Sequence, residues 1–132
     1  MNSASYRNAC ANEVFSRLVT AFNSGDGVAL ATIFNNETAE HPFEWVSDGS
    51  GLTFWVERSP MGAIDRLLAR HAVGERWTSV VLSAGPGPSW HGGVDFSLKM
   101  ERVRPDPPNP TADGVGKGAL SCKSGRVYVL SM

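Results

Sequence analysis

The order of its segments constrains this chain most, because helical patterns come first and, after the third of them, only strand patterns remain. From about Ser3 to Ser24, Tyr6, Cys10, Val14, Leu18 and Phe22 recur at every fourth position, with Phe15 and Val19 beside them. That spacing is the buried stripe of an amphipathic helix. Gly25 suits the left-handed residue that ends such a helix, and Asp26 caps a second, shorter one whose apolar residues are Val28, Leu30, Ile33 and Phe34. Residues 37–46 then alternate as a half-buried strand, with Ala39, His41, Phe43 and Trp45 on one face and Glu40, Pro42, Glu44 and Val46 on the other. Pro42 lacks a donor, which places this strand at an edge or a bulge.

Asp48-Gly49-Ser50-Gly51 is a turn, and Leu52 to Glu57 returns as a second strand. Ser59 is a good N-cap and Pro60 suits the first helical position. Met61, Ile64, Leu67, Leu68 and His71 form one face of the third helix, which ends near Gly74 with Arg70 and His71 complementing the helix dipole. Trp77 to Ser83 reads as a strand followed by a loop over residues 84–88. In the clearest strand, Val94, Phe96, Leu98 and Met100 alternate against Asp95, Ser97, Lys99 and Glu101, and Gly92-Gly93 before it marks a bulge that curves the sheet. Pro105 to Asp113 reads as an irregular, proline-rich connection. A hairpin closes the chain, from Gly118 to Cys122 and from Arg126 to Met132, turning at Lys123-Ser124-Gly125. The expectation is an α+β fold: three helices from the N-terminal half packed on a strongly curved, mostly antiparallel sheet that forms a cone with an interior pocket. No repeat or long linker divides residues 1–132, so a single domain is expected.

Twelve basic and thirteen acidic residues leave the chain near neutrality, with no broad field to hold nucleic acid or an anionic membrane. No run approaches a membrane span and the N-terminus lacks a signal-peptide core. Cys10 and Cys122 have no Cys-x-x-Cys partner, so both read as reduced structural thiols of a cytoplasmic protein.

Several strings within this order resemble the nuclear-transport-factor-2-like superfamily, which includes ketosteroid isomerase, scytalone dehydratase, limonene epoxide hydrolase and the SnoaL-like polyketide cyclases. They are Phe22-Asn23-Ser24-Gly25-Asp26, Ile33-Phe34, Glu40-His41-Pro42, and Lys117-Gly118-Ala119-Leu120 turning to Gly125-Arg126-Val127. The resemblance implies the cone fold and a homodimer formed through the outer sheet face. Laid over ketosteroid isomerase, residues 17–42 put His41 where that enzyme has its general-base aspartate. Its oxyanion pair, a tyrosine and a protonated aspartate, falls on Leu18 and on or near Lys117, neither of which supplies that chemistry.

His41 is the candidate acid/base in its own right. An imidazole titrating near pH ~6.5 accepts and returns a proton at neutrality, which suits isomerisation, dehydration or cyclisation. Asp95 is the candidate that orients it if the carboxylate faces the cavity; the alternation equally allows it to face outward. Phe43, Trp45, Trp55 and Trp90 are candidate rings around a small apolar or planar ligand, with Leu18, Met61 and Lys117 completing the expected contact set. The alternative is that the rings fill the cone and the chain is a non-catalytic ligand-binding or interaction module. No cofactor or metal is expected. His41, His71 and His91 lack zinc-ligand spacing, and Gly114-Val115-Gly116-Lys117-Gly118 departs from a phosphate loop at Thr111 and Gly118.

Overall fold

The computed structural model describes residues 3–34, 43–47, 55–86, 93–103, 111–122 and 124–131. Helix α1 (Ser3–Ser24) leads into α2 (Gly27–Ile33), β1 (Glu44–Ser47), β2 (Trp55–Glu57), α3 (Pro60–Ala72), β3 (Arg76–Pro86), β4 (Gly93–Val103), β5 (Thr111–Ser121) and β6 (Arg126–Ser131). The strands form one six-stranded curved sheet in the order β2-β1-β6-β5-β4-β3, open at β2 and β3. Only the β1–β6 pair among these is parallel.

The helix boundaries follow from local chemistry. Gly25 takes φ +64° and returns its N–H to Phe22 O, ending α1. Asp26 accepts from the Ala29 N–H at 3.0 Å and opens α2, while the Ser59 hydroxyl accepts from Gly62 N–H at 3.4 Å and Pro60 opens α3. Gly74, at φ +100°, follows the end of α3. A hairpin between β5 and β6 turns at Gly125, φ +69°, whose N–H bonds Ser121 O at 2.8 Å.

Helix α1 lies along edge strand β3 and packs against one face of the curved sheet. Its Phe22 ring stacks on Trp77, with centroids 3.9 Å apart and planes 8° off parallel. The Asn23 amide replaces a missing neighbour strand: its Nδ2 donates to Trp77 O and its Oδ1 accepts from Trp77 N–H, both at 2.9 Å. Near the other end, Asn8 Oδ1 accepts from Ala84 N–H at 3.3 Å. Helix α1 thus covers backbone that an edge strand would otherwise offer to other chains. On its opposite flank α1 meets the β5–β6 turn, where Arg17 Nη2 donates to Gly125 O at 3.0 Å. Arg126 at the start of β6 donates to Ala31 O and Phe34 O, at 3.2 and 2.8 Å, satisfying the end of α2.

Three expectations require correction. Cys10 and Cys122 are not free thiols: they form a disulfide between α1 and the residue after β5, 112 positions apart. Local spacing carries no information about a pair that only the tertiary fold brings together. The basis for a cytoplasmic location is thereby lost, since disulfides persist mainly in oxidising surroundings. A bond that closes so long a loop typically contributes about 2–4 kcal/mol, chiefly by constraining the unfolded chain. The irregular connection expected up to Asp113 gives way at Thr111, where β5 begins seven residues before the expected Gly118. Likewise, β3 runs on to Pro86 through the expected loop. In both cases a long ladder to β4, of ten pairs for β3 and eleven for β5, overrides glycine and proline signals. Register shifts lie at Trp77/Ser79 and Ala119/Leu120. Gly92 lies outside the described residues, as does most of the expected first strand (residues 37–46), of which residues 44–46 fall in β1.

Candidate ligand site

The inner face of the sheet is defined by the side chains turned toward α1. On β4 these include Val94 and Phe96, both buried, whereas Asp95, Ser97 and Lys99 between them are exposed. Phe96 meets Phe15 of α1 with ring centroids 6.1 Å apart. At the β1 end, Phe34 touches Phe43 and Trp45 at 5.2 and 5.7 Å, and Leu18, Leu30, Leu120 and Val127 are buried in the same core. That end of the cone is filled.

Strand β5 presents a different inner face. Leu120 stands opposite Val94, but the next positions with the same orientation are Gly118 opposite Phe96, Gly116 opposite Leu98 and Gly114 opposite Met100. Strand side chains alternate between faces, so a stretch of about 13 Å along the inner side of β5 carries no Cβ at all. A glycine inside a strand costs about 0.5–1 kcal/mol relative to alanine, and it marks places where a ligand or another backbone comes close. The glycines that fail as a phosphate loop are therefore a bare strip inside the cone. Alternating glycines between residues 114 and 118 are the signal from which period-two reading could have found it.

The expected site residues separate. Leu18, Phe43 and Trp45 are fully buried in the apolar core rather than exposed to a cavity. Asp95 is exposed on the outer face of β4, where its carboxylate is not available to orient a ring inside the cone; the inward alternative fails because Val94 and Phe96 take that face. Lys117 is also exposed on the outer side, in register with exposed Ser97, and leaves the expected contact set. Met61 is 62% exposed and belongs to a groove between α2 and α3. Trp55 opens β2, while His41 and Trp90 lie outside the described residues. Glu44 pairs with Arg58 at 3.5 Å on the surface, a contact of little energetic weight.

A buried polar corner went unread in the sequence. Glu75 is 2% exposed and its Oε2 accepts the Trp77 Nε1–H at 3.0 Å. Buried Arg102 is the β4 partner of Trp77 in the ladder. Arg76 Nη1 donates to His71 O and Glu75 O, at 3.0 and 2.7 Å, at the end of α3. The His71 ring stands edge-on to Phe22 and occupies the space a Cβ on Gly25 would need, at 2.6 Å. These groups join α1, α3 and β3 and have a structural role.

Three hollows among the described residues lie on the helical side. One of about 730 Å³ runs between α2 and α3, floored by Val28, Ala31, Met61, Ile64 and Leu68 with Asp26 and Asp65 beside them. Others of about 340 and 270 Å³ flank α1, against β3 and α2 respectively. Among the described residues, no three His, Cys, Asp or Glu side chains converge as metal ligands, and no helix is long and apolar enough to cross a membrane.

No family model matches the chain, and no curated protein matches it in sequence. Solved structures do match in shape. A designed nuclear-transport-factor-2-like protein superposes with a TM-score of 0.63 at 10% identity, covering 94% of this chain and 96% of that one. A Rhodopseudomonas palustris protein named as an isomerase gives 0.61 at 15% identity, over 92% and 86%. A Mesorhizobium loti protein named as a SnoaL-like polyketide cyclase gives 0.55 at 9% identity, over 94% and 95%. With three helices and one curved sheet in this order, the chain has the fold of the nuclear-transport-factor-2-like superfamily.

Proposed function

We propose that the chain binds a small apolar or planar molecule inside the cone, over the glycine strip of β5, and that His41 serves there as general acid/base in a cofactor-independent isomerisation, dehydration or cyclisation. The observation that carries the binding part is the missing Cβ row at Gly114, Gly116 and Gly118, beside the buried ring of Phe96. Glycines in a strand serve a sheet bend or the close approach of another backbone, and three on one face also suit a flat ligand laid against β5. The isomerase and polyketide cyclase among the structural neighbours support a chemistry of this kind. His41 is assigned by its sequence position before Pro42 and by the proton-transfer range of imidazole.

A second reading is a non-catalytic interaction module. The filled core at the β1 end favours it, as does the α2–α3 groove, where Val28 and Met61 are 81% and 62% exposed.

The test uses 2-naphthol as a binding probe and a β,γ-unsaturated 3-ketosteroid as a binding and turnover probe, with binding followed by tryptophan emission and formation of the conjugated enone by absorbance. The pocket reading expects saturable binding of at least one probe. The acid/base reading further expects a rate that rises with pH through the imidazole range, near pH ~6.5, and vanishes in His41→Ala. Binding without turnover keeps the pocket and removes the chemistry. No binding by either probe contradicts the pocket reading.

A further inference from the structure

We propose that the Cys10–Cys122 disulfide is a redox latch that holds the first two turns of α1 in place. Packing alone gives those turns little. Of residues 5–9, Tyr6 is 50% exposed, Ser5, Asn8 and Ala9 are exposed and Arg7 is half-buried; from Ser5 on, the first fully buried residue is Ala11. From Ala11 on, Val14, Phe15, Leu18, Ala21 and Phe22 anchor α1 in the core. The first turn carries no acidic side chain to complement the helix dipole. Among the described residues, these turns reach the sheet through the disulfide and through an exposed hydrogen bond from Ala84 N–H to Asn8 Oδ1 at 3.3 Å. The disulfide therefore sits at the border between a helix segment held by packing and one that packing leaves loose.

Both cysteines are partly exposed at the edge of the core, and reduction requires a reductant thiolate to reach one of their sulfurs. A dithiol reductant attacks one sulfur, forms a mixed disulfide with it and releases the other cysteine as a thiolate that takes up a proton. The second thiol of the reductant then closes its own disulfide and frees the remaining cysteine. Two electrons and two protons pass to the protein, and the covalent tie is gone. The Arg17–Gly125 hydrogen bond keeps the later part of α1 on the same hairpin. Reduction then releases residues 3–10 while the body of the fold persists. Order in this segment, and its access to proteases or partners, follows the redox state.

The test is NMR of the oxidised protein and of the same sample under excess dithiothreitol, with the Cys10→Ser/Cys122→Ser double variant alongside. The latch expects heteronuclear NOE values at residues 5–9 to fall by more than half on reduction, while signals of α3 and β4 keep their positions. The variant should show the reduced pattern with or without dithiothreitol. Three results overturn the proposal: unchanged NOE values at residues 5–9, collapse of signals across α3 and β4 together with α1, or two free thiols in protein purified without reductant.

Discussion

Strands β4 and β5 lie side by side over eleven residue pairs, yet their inner faces are opposites. The β4 face places Val94 and Phe96 in the core, where Phe96 meets Phe15 and the ring cluster of Phe34, Phe43 and Trp45 fills the far end. The β5 face places Leu120 there and then presents only glycine through Gly118, Gly116 and Gly114. One region obtains stability from burial; its neighbour gives stability up along a continuous strip. That contrast separates a strand face that carries core side chains from one that carries none over three alternate positions.

The comparison can be broken from its packed side first. Phe34→Ala removes a ring touching both Phe43 and Trp45 and should cost about 3–5 kcal/mol in urea unfolding. A cost below about 1 kcal/mol would mean that the β1 end is not the packed half. Removing the disulfide in Cys10→Ser/Cys122→Ser should cost about 2–4 kcal/mol in the same experiment, much of it through the freed unfolded chain. Asn23→Ala leaves the Trp77 backbone N–H and C=O without their side-chain partner at the edge of β3, for about 1–2 kcal/mol. If Asn23→Ala is silent, the seam is held by the Phe22–Trp77 stack and not by the amide. The smallest stability effect belongs to Gly118→Val. A β-branched residue is better suited to a strand than glycine, so unfolding should shift by less than about 1 kcal/mol in either direction. Ligand affinity, by contrast, should fall at least tenfold, because the new side chain stands in the strip opposite Phe96.

Much of the helical half was legible in the sequence, and for identifiable reasons. Phe22-Asn23-Ser24-Gly25-Asp26 encodes a stacked ring, an amide that pairs with Trp77, a left-handed terminator and an N-cap in five residues. The alternation in β4 left Asp95 facing either way, and the burial of Val94 and Phe96 resolves it outward. The start of β5 was hidden because glycine and proline suppress the local strand signal, and only pairing with β4 makes residues 111–117 a strand. Met61 fits the helical period of the α3 face but sits in its first turn beyond the core, where it opens onto the α2–α3 groove. Glu75 lies between Gly74 and β3, and nothing local reports that Trp77 will donate to it in the interior. His41 and Trp90 lie outside the described residues, so their roles rest on sequence position.

The most direct test of the bare strip as a ligand site is a ¹H–¹⁵N NMR titration of the oxidised protein with 2-naphthol and the β,γ-unsaturated 3-ketosteroid, repeated on Gly118→Val. The account predicts saturable shifts centred on the Gly116 and Gly118 amides and on Phe96, lost in the folded variant. Shifts centred instead on Val28, Met61 and Leu68, or unchanged affinity in Gly118→Val, would contradict it.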